Sequence, residues 1–185
     1  MRSIVVTVVA CCVLAIAPAA GASTWQIGPS IGLDAYSSSG GGSLATVSAP
    51  VGSDIFTGGL RPGLRVGAWD PSFHHEWFVD SSFLLLSNSG STAYTASNTL
   101  NYAYAFRRGS APYVTGGAGF ARFSSEGLSQ TFWLYGVGLG HRQRLRHGHG
   151  SVRTEFRFDR ISDSDATSND INVLAVRIGF DLDLN

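Results

Sequence analysis

The 185-residue chain carries 13 basic and 13 acidic residues, so no net charge draws it to nucleic acid or another polyanion. Only 14% of its residues are charged and 23 are glycine, and beyond residue 22 no apolar run is long enough to cross a membrane as a helix. The length suits one domain better than two.

Residues 1–22 read as an export signal. Met1 and Arg2 make a short positive start, residues 4–16 an apolar core, and Ala20-Gly21-Ala22 a small-residue cleavage site, which predicts a mature domain over 23–185. Pro18 and the absence of a charged stop-transfer flank argue against a membrane anchor. Val8-Val9-Ala10-Cys11 loosely resembles a lipoprotein box, but it falls inside the apolar core instead of after it. Cys11 and Cys12 both lie in this leader, which leaves the exported domain without a disulfide framework.

Eight segments of period 2 follow, with almost no helical periodicity. Residues 24–36 set Trp25, Ile27, Ile31, Leu33 and Ala35 on one face. Residues 59–69 oppose Leu60, Leu64, Val66 and Ala68 to Arg61, Gly63, Arg65 and Gly67, and Asp70-Pro71-Ser72 makes a tight turn. Residues 75–86 oppose Trp77, Val79, Phe83 and Leu85 to Asp80 and Ser82. Residues 100–107 oppose Leu100, Tyr102, Tyr104 and Phe106 to Asn101, Ala103, Ala105 and Arg107. After a turn near Gly109, the glycine-rich stretch 112–123 turns Val114, Ala118 and Phe120 outward. Residues 131–142 oppose Trp133, Tyr135, Val137 and Leu139 to Gly136, Gly138, Gly140 and Arg142. Residues 152–160 alternate without a slip, Val152, Thr154, Phe156 and Phe158 against Arg153, Glu155, Arg157 and Asp159. Residues 170–184 oppose Leu174, Val176, Ile178, Phe180, Leu182 and Leu184 to Arg177, Gly179, Asp181 and Asp183.

Two architectures share this pattern. A soluble sandwich or lipocalin-like barrel would put the apolar face inside and the charges in water. A membrane barrel would put the apolar face in lipid and the charges within. The polar parity decides, because it collects glycine beside arginine, as suits a narrow interior in which arginines reach carboxylates. The predicted fold is all-β, an eight-stranded antiparallel up-and-down transmembrane β-barrel. Its expected interior charges are Arg61, Arg65, Asp80, Arg107, Arg153, Glu155, Arg157, Asp159, Arg177 and Asp181. Its expected lipid-facing residues include Trp25, Trp77, Tyr102, Tyr104, Trp133, Phe156, Phe158 and Phe180. Trp25, Trp77, Tyr102, Tyr104, Phe106 and Tyr113 would form a girdle at the short-turn end. Long polar connections (37–58, 87–99, 124–130 and 162–169) alternate with short turns, the wiring of long outer loops and short inner turns.

The stretches Pro112-Tyr113-Val114-Thr115-Gly116-Gly117-Ala118-Gly119, Tyr135-Gly136-Val137-Gly138-Leu139-Gly140 and Ile178-Gly179-Phe180-Asp181-Leu182-Asp183-Leu184 resemble those of small Gram-negative outer-membrane barrels of the OmpA and OmpX kind. The resemblance implies insertion by the barrel-assembly machinery and contact with outer-membrane lipid. Members of that group usually end in an aromatic residue, and this sequence departs from them at Leu184-Asn185.

His74, His75, His141, His147 and His149 would gather near one end but lack metal-ligand spacing, so no metal or cofactor is expected. Arg142, Arg144 and Arg146 would lie at phospholipid headgroups. A lipid A deacylase would need a serine–histidine–acid set facing lipid. His141 and Glu155 are its nearest candidates, but they fall on opposite faces and residue 143 is Gln, so Glu155 reads better as an interior partner of Arg153, Arg157 or Arg177. An interior filled by arginines and carboxylates would be plugged and would give no general-porin activity. The expected role is structural or surface-interacting and not enzymatic, with a monomer that meets any partner through its loops, above all 37–58. Asp159→Asn is expected to be milder than Phe156→Arg.

Overall fold

The computed structural model describes residues 24–38, 60–88, 91–125, 128–146, 149–162 and 170–184. The export signal and the connection 39–59 lie outside these residues. Eight strands appear in chain order: β1 (Thr24–Ser38), β2 (Leu60–Trp69), β3 (His75–Asn88), β4 (Ser91–Ala105), β5 (Ala111–Ser125), β6 (Leu128–Arg144), β7 (Gly150–Ser162) and β8 (Ile171–Asp183). Each pairs antiparallel with the next, and β8 returns to β1 to close the barrel. Closure leaves no sheet edge unpaired. No described helix is long and apolar enough to cross a membrane.

Two expected loops are hairpin ladder instead. Residues 91–99 belong to β4, paired from Asn88↔Ser91 to Asp80↔Thr99, and β5 and β6 run on until only 126–127 separate them. The polar run Ser91-Thr92-Ala93-Tyr94-Thr95-Ala96-Ser97-Asn98 has the composition of a loop. In a barrel with a polar interior, however, Thr95, Ser97 and Thr99 are the buried face of a strand.

The turn joining β2 to β3 is organised by Asp70. Its carboxylate accepts hydrogen bonds from the backbone amides of His74 (3.1 Å) and His75 (3.0 Å) and from the Ser72 hydroxyl. Phe73 adopts a left-handed φ of 57° there and packs against the buried Trp69 cluster. Partial burial would raise the Asp70 carboxyl, but the Ser72, His75 and His74 hydrogen bonds outweigh it and hold the group below its ordinary 3.8. A depressed folded value means the stabilisation is complete above the unfolded value and is lost as pH falls through the folded one. Acid unfolding should therefore steepen below about pH 4 in the parent relative to Asp70→Asn, by about 0.5 kcal/mol for a partly solvated group. Superimposable pH profiles would assign the turn no such role.

Candidate functional site

Parity divides the wall cleanly into an apolar outside and a filled lumen. Outward along β6 stand Trp133 (64% exposed), Tyr135, Val137 (63%) and Leu139. Phe156 and Phe158 follow on β7, and Leu174, Val176, Ile178, Phe180 and Leu182 on β8. Trp77 and Tyr104 also face outward and exposed, and Trp25 and Tyr102 face outward half-buried. At the turn end Trp77 and Tyr102 pack with ring centroids 5.0 Å apart, Tyr104 meets Phe106 edge-on, and the Tyr102 hydroxyl lies 2.6 Å from Nδ1 of His75. A continuous apolar surface of this extent is one that water does not cover and a bilayer does.

Most of the expected charges do lie inside, and the structure sorts them into pairs. Arg61 Nε meets Asp34 at 2.7 Å, and Arg153 forks onto Asp181 at 2.8 and 2.9 Å. Arg65 does not take Asp80, its register partner. Its side chain instead runs over the Phe78 ring, 3.3 Å from the centroid, to bond Glu76 through Nε at 3.1 Å and through Nη2. That leaves Asp80 for Arg177, which reaches from β8 to hold it at 2.9 Å and to hold Asp159 at 3.2 Å. Asp159 also accepts from Arg157 Nε at 2.6 Å, and Arg157 lies 3.6 Å from Glu155, whose other oxygen accepts from the Tyr113 hydroxyl at 2.8 Å. One connected chain, Tyr113–Glu155–Arg157–Asp159–Arg177–Asp80, thus spans β5, β7, β8 and β3 through the middle of the lumen. Buried arginine and carboxylate satisfy each other's charge in this way without admitting water.

Three expectations need correction. Arg107 is not an interior charge: β4 ends at Ala105, and Arg107 lies exposed in the turn that follows. The alternation of residues 100–107 runs past the point where Phe106 N bonds Pro112 O and the chain reverses. Tyr113 is not part of the outer girdle, because its odd parity on β5 points it inward, where it is 1% exposed. Arg142 is not at the headgroups. It is buried in the lumen with its guanidinium 3.7 Å from the Trp69 ring centroid, and Arg144 pairs with Asp183 at 2.6 Å.

The lumen also holds partners that the sequence reading did not single out. Asp34, Glu76, Trp69, Phe78 and Gln26 are all buried, and Trp69 Nε1 donates to Gln26 at 2.8 Å. Parity could have found them, since each stands beside an outward residue. Near the turns Trp69, Phe78, Tyr113, Ala103 and Ala105 form one apolar cluster, and near the loops Ala121, Leu134, Ile161 and Val173 form another. Glycine makes room between them. A Cβ on Gly136 would overlap the Asp159 carboxylate, and one on Gly140 would overlap the Tyr113 ring.

Among the described residues this arrangement fills the lumen. His141 is exposed on the outer face while Glu155 is buried in the lumen, so the wall separates the two. Among the described histidines, His74 Nδ1 lies 2.8 Å from the Ala105 carbonyl and His75 meets Tyr102. No group of three metal-binding side chains converges among the described residues.

No protein-family model matches the chain, nor does any curated protein sequence. Solved structures do resemble it. Neisserial surface protein A superposes with a TM-score of 0.61 at 15% identity, covering 88% of this chain and 99% of that one. The outer-membrane protein AlkL, determined in lipid bilayers, superposes at 0.50 with 12% identity over 86% and 89% of the two chains. The N-terminal β-barrel domain of OprF from Pseudomonas aeruginosa superposes at 0.47 with 12% identity over 84% and 97%. At such identities the likeness is one of fold. A closed ring of eight antiparallel strands, apolar outside and filled within, has the fold of the small outer-membrane β-barrel proteins.

Proposed function

We propose that the chain is an integral protein of the bacterial outer membrane, delivered by its N-terminal signal and inserted by the barrel-assembly machinery. Its role is structural or surface-interacting, without catalysis. The observation that carries this reading is the inverted polarity of the wall, with Arg157 at 1% exposure inside and Trp133 at 64% outside. A water-soluble barrel needs the reverse. The fold shared with Neisserial surface protein A supports it. With its lumen crossed by the chain of ion pairs from Tyr113 to Asp80, the barrel acts as a rigid stem rather than a pore. Any partner is met at the loop end, and the serine- and glycine-rich connection 39–59 is the segment long enough to meet it.

Expression of the full chain in a Gram-negative host, with fractionation and gel mobility before and after boiling, tests the location and closure together. The expected result is an outer-membrane band that migrates faster unboiled, and no steady conductance from the purified protein in planar bilayers. A soluble periplasmic protein of single mobility would refute the membrane reading, and a large steady conductance would refute the filled lumen.

A further inference from the structure

Between Trp77 and Phe83 on β3 and between Tyr94 and Tyr102 on β4, the outward face is apolar except at one place. Trp77 and Tyr102 pack at its turn end, Phe83 and Tyr94 stack at its loop end with centroids 6.0 Å apart, and Val79 and Leu100 stand between. Within this belt Ser81 and Asn98 are directly paired across the strands, and the Ser81 hydroxyl donates to Asn98 Oδ1 at 2.8 Å. The register places Leu64 beside Ser81 and Phe120 beside Asn98, so an amide and a hydroxyl sit in an otherwise apolar surround.

The depth of this pair is what makes it informative. Asn98 lies midway along β4 between Tyr94 and Tyr102, all three on the outward parity. At ~3.4 Å per residue and a tilt of ~40°, each interval of four residues spans about 10 Å along the barrel axis. The amide is therefore near the middle of the apolar band and far from lipid esters and phosphates. Ser81 fills one lone pair of Oδ1, and the two N–H donors of Asn98 have no partner among the described residues. The carbonyls on either side belong to the ladder with β3 and β5. Acyl chains offer no acceptor, and an unmet amide in hydrocarbon is costly.

A primary amide is complementary to itself, because two related by a two-fold axis can each donate an N–H to the other's carbonyl oxygen. We propose that the β3–β4 face is the interface of a symmetric homodimer in the membrane plane. Asn98 meets its counterpart on a second copy of this chain, and Phe83, Tyr94 and Leu100 pack around the pair. The inference rests on the membrane-barrel reading above. It replaces the monomer expected from the sequence, which would leave these donors in lipid. A second copy satisfies one of them through the same amide and brings its own acceptor to the same depth, whereas a different protein would have to place an acceptor there.

Sedimentation equilibrium of the refolded full chain in detergent micelles, across protein-to-detergent ratios, tests the dimer directly. The parent should show a reversible monomer–dimer equilibrium, and Asn98→Leu should raise its dissociation constant about tenfold. Leucine suits a lipid-facing position, so this variant should keep the heat-modifiable mobility of a closed barrel. In bilayers, and with Cys11 and Cys12 replaced by serine, Asn98→Cys should form a disulfide-linked dimer under mild oxidant. Leu174→Cys, on β8 across the ring from β4, should not. A parent that stays monomeric at every ratio, or an Asn98→Leu variant that dimerises as tightly, would overturn the proposal and leave the barrel reading intact. A parent lacking heat-modifiable mobility would overturn the barrel reading itself, and the dimer with it.

Discussion

Asparagine at position 159 should destabilise the barrel by about 3 kcal/mol, read from guanidinium unfolding of protein refolded into phospholipid vesicles. Asp159 is the one carboxylate that joins Arg157, at 2.6 Å, to Arg177, at 3.2 Å, and it is 1% exposed. Removing its charge takes one of two carboxylate partners from each of two buried cations, and such a loss costs more than the intact pairs contribute in net terms. Glu155 and Asp80 remain to hold one arginine each, at 3.6 and 2.9 Å, and asparagine keeps one acceptor oxygen, which places the effect at the lower end of the range for broken buried pairs. This brings the expected loss level with that for Phe156→Arg, whereas the sequence alone suggests the milder effect at Asp159. A loss below about 1 kcal/mol would show that the central chain of ion pairs is dispensable.

Arginine in place of Phe156 should lower the free energy of folding into vesicles by about 2–4 kcal/mol, measured as the folded fraction against denaturant. Phe156 is half exposed on the outer face, between Leu139 on β6 and Val176 on β8, so a guanidinium there meets only apolar neighbours and lipid. Its neighbours in sequence, Glu155 and Arg157, are charged and tolerated because they point the other way. A cost under about 0.5 kcal/mol would place that face in water and turn the sheet inside out. The two substitutions probe opposite sides of one strand three residues apart, and large effects at both would separate lipid on one side from a packed polar interior on the other.

What could be read without the structure follows from a single constraint. Side chains alternate along a strand, so assigning Phe156 and Phe158 to lipid assigns Arg153, Glu155, Arg157 and Asp159 to the lumen. The same parity carried over to Arg61, Arg65, Asp80, Arg177 and Asp181, and the glycines on that face signalled how little room it offers. Parity loses its meaning where the chain turns, so the alternation points Arg107 into a lumen that it does not enter. It also goes unrecognised where small polar residues fall on both faces and Tyr94 alone marks the outer one, as in residues 91–99 of β4.

Partnership was beyond the reach of sequence for a different reason. Arginine side chains are long enough to leave their own register position, so Arg65 passes over Phe78 to Glu76 instead of taking the adjacent Asp80. Asp80 is then free for Arg177, 97 residues away, and that contact exists only because β8 closes onto β1 and brings opposite walls within reach. The number of strands and their faces were therefore written in the order of residues. Which charge meets which was decided by the width of the closed ring, a property that belongs to no single strand.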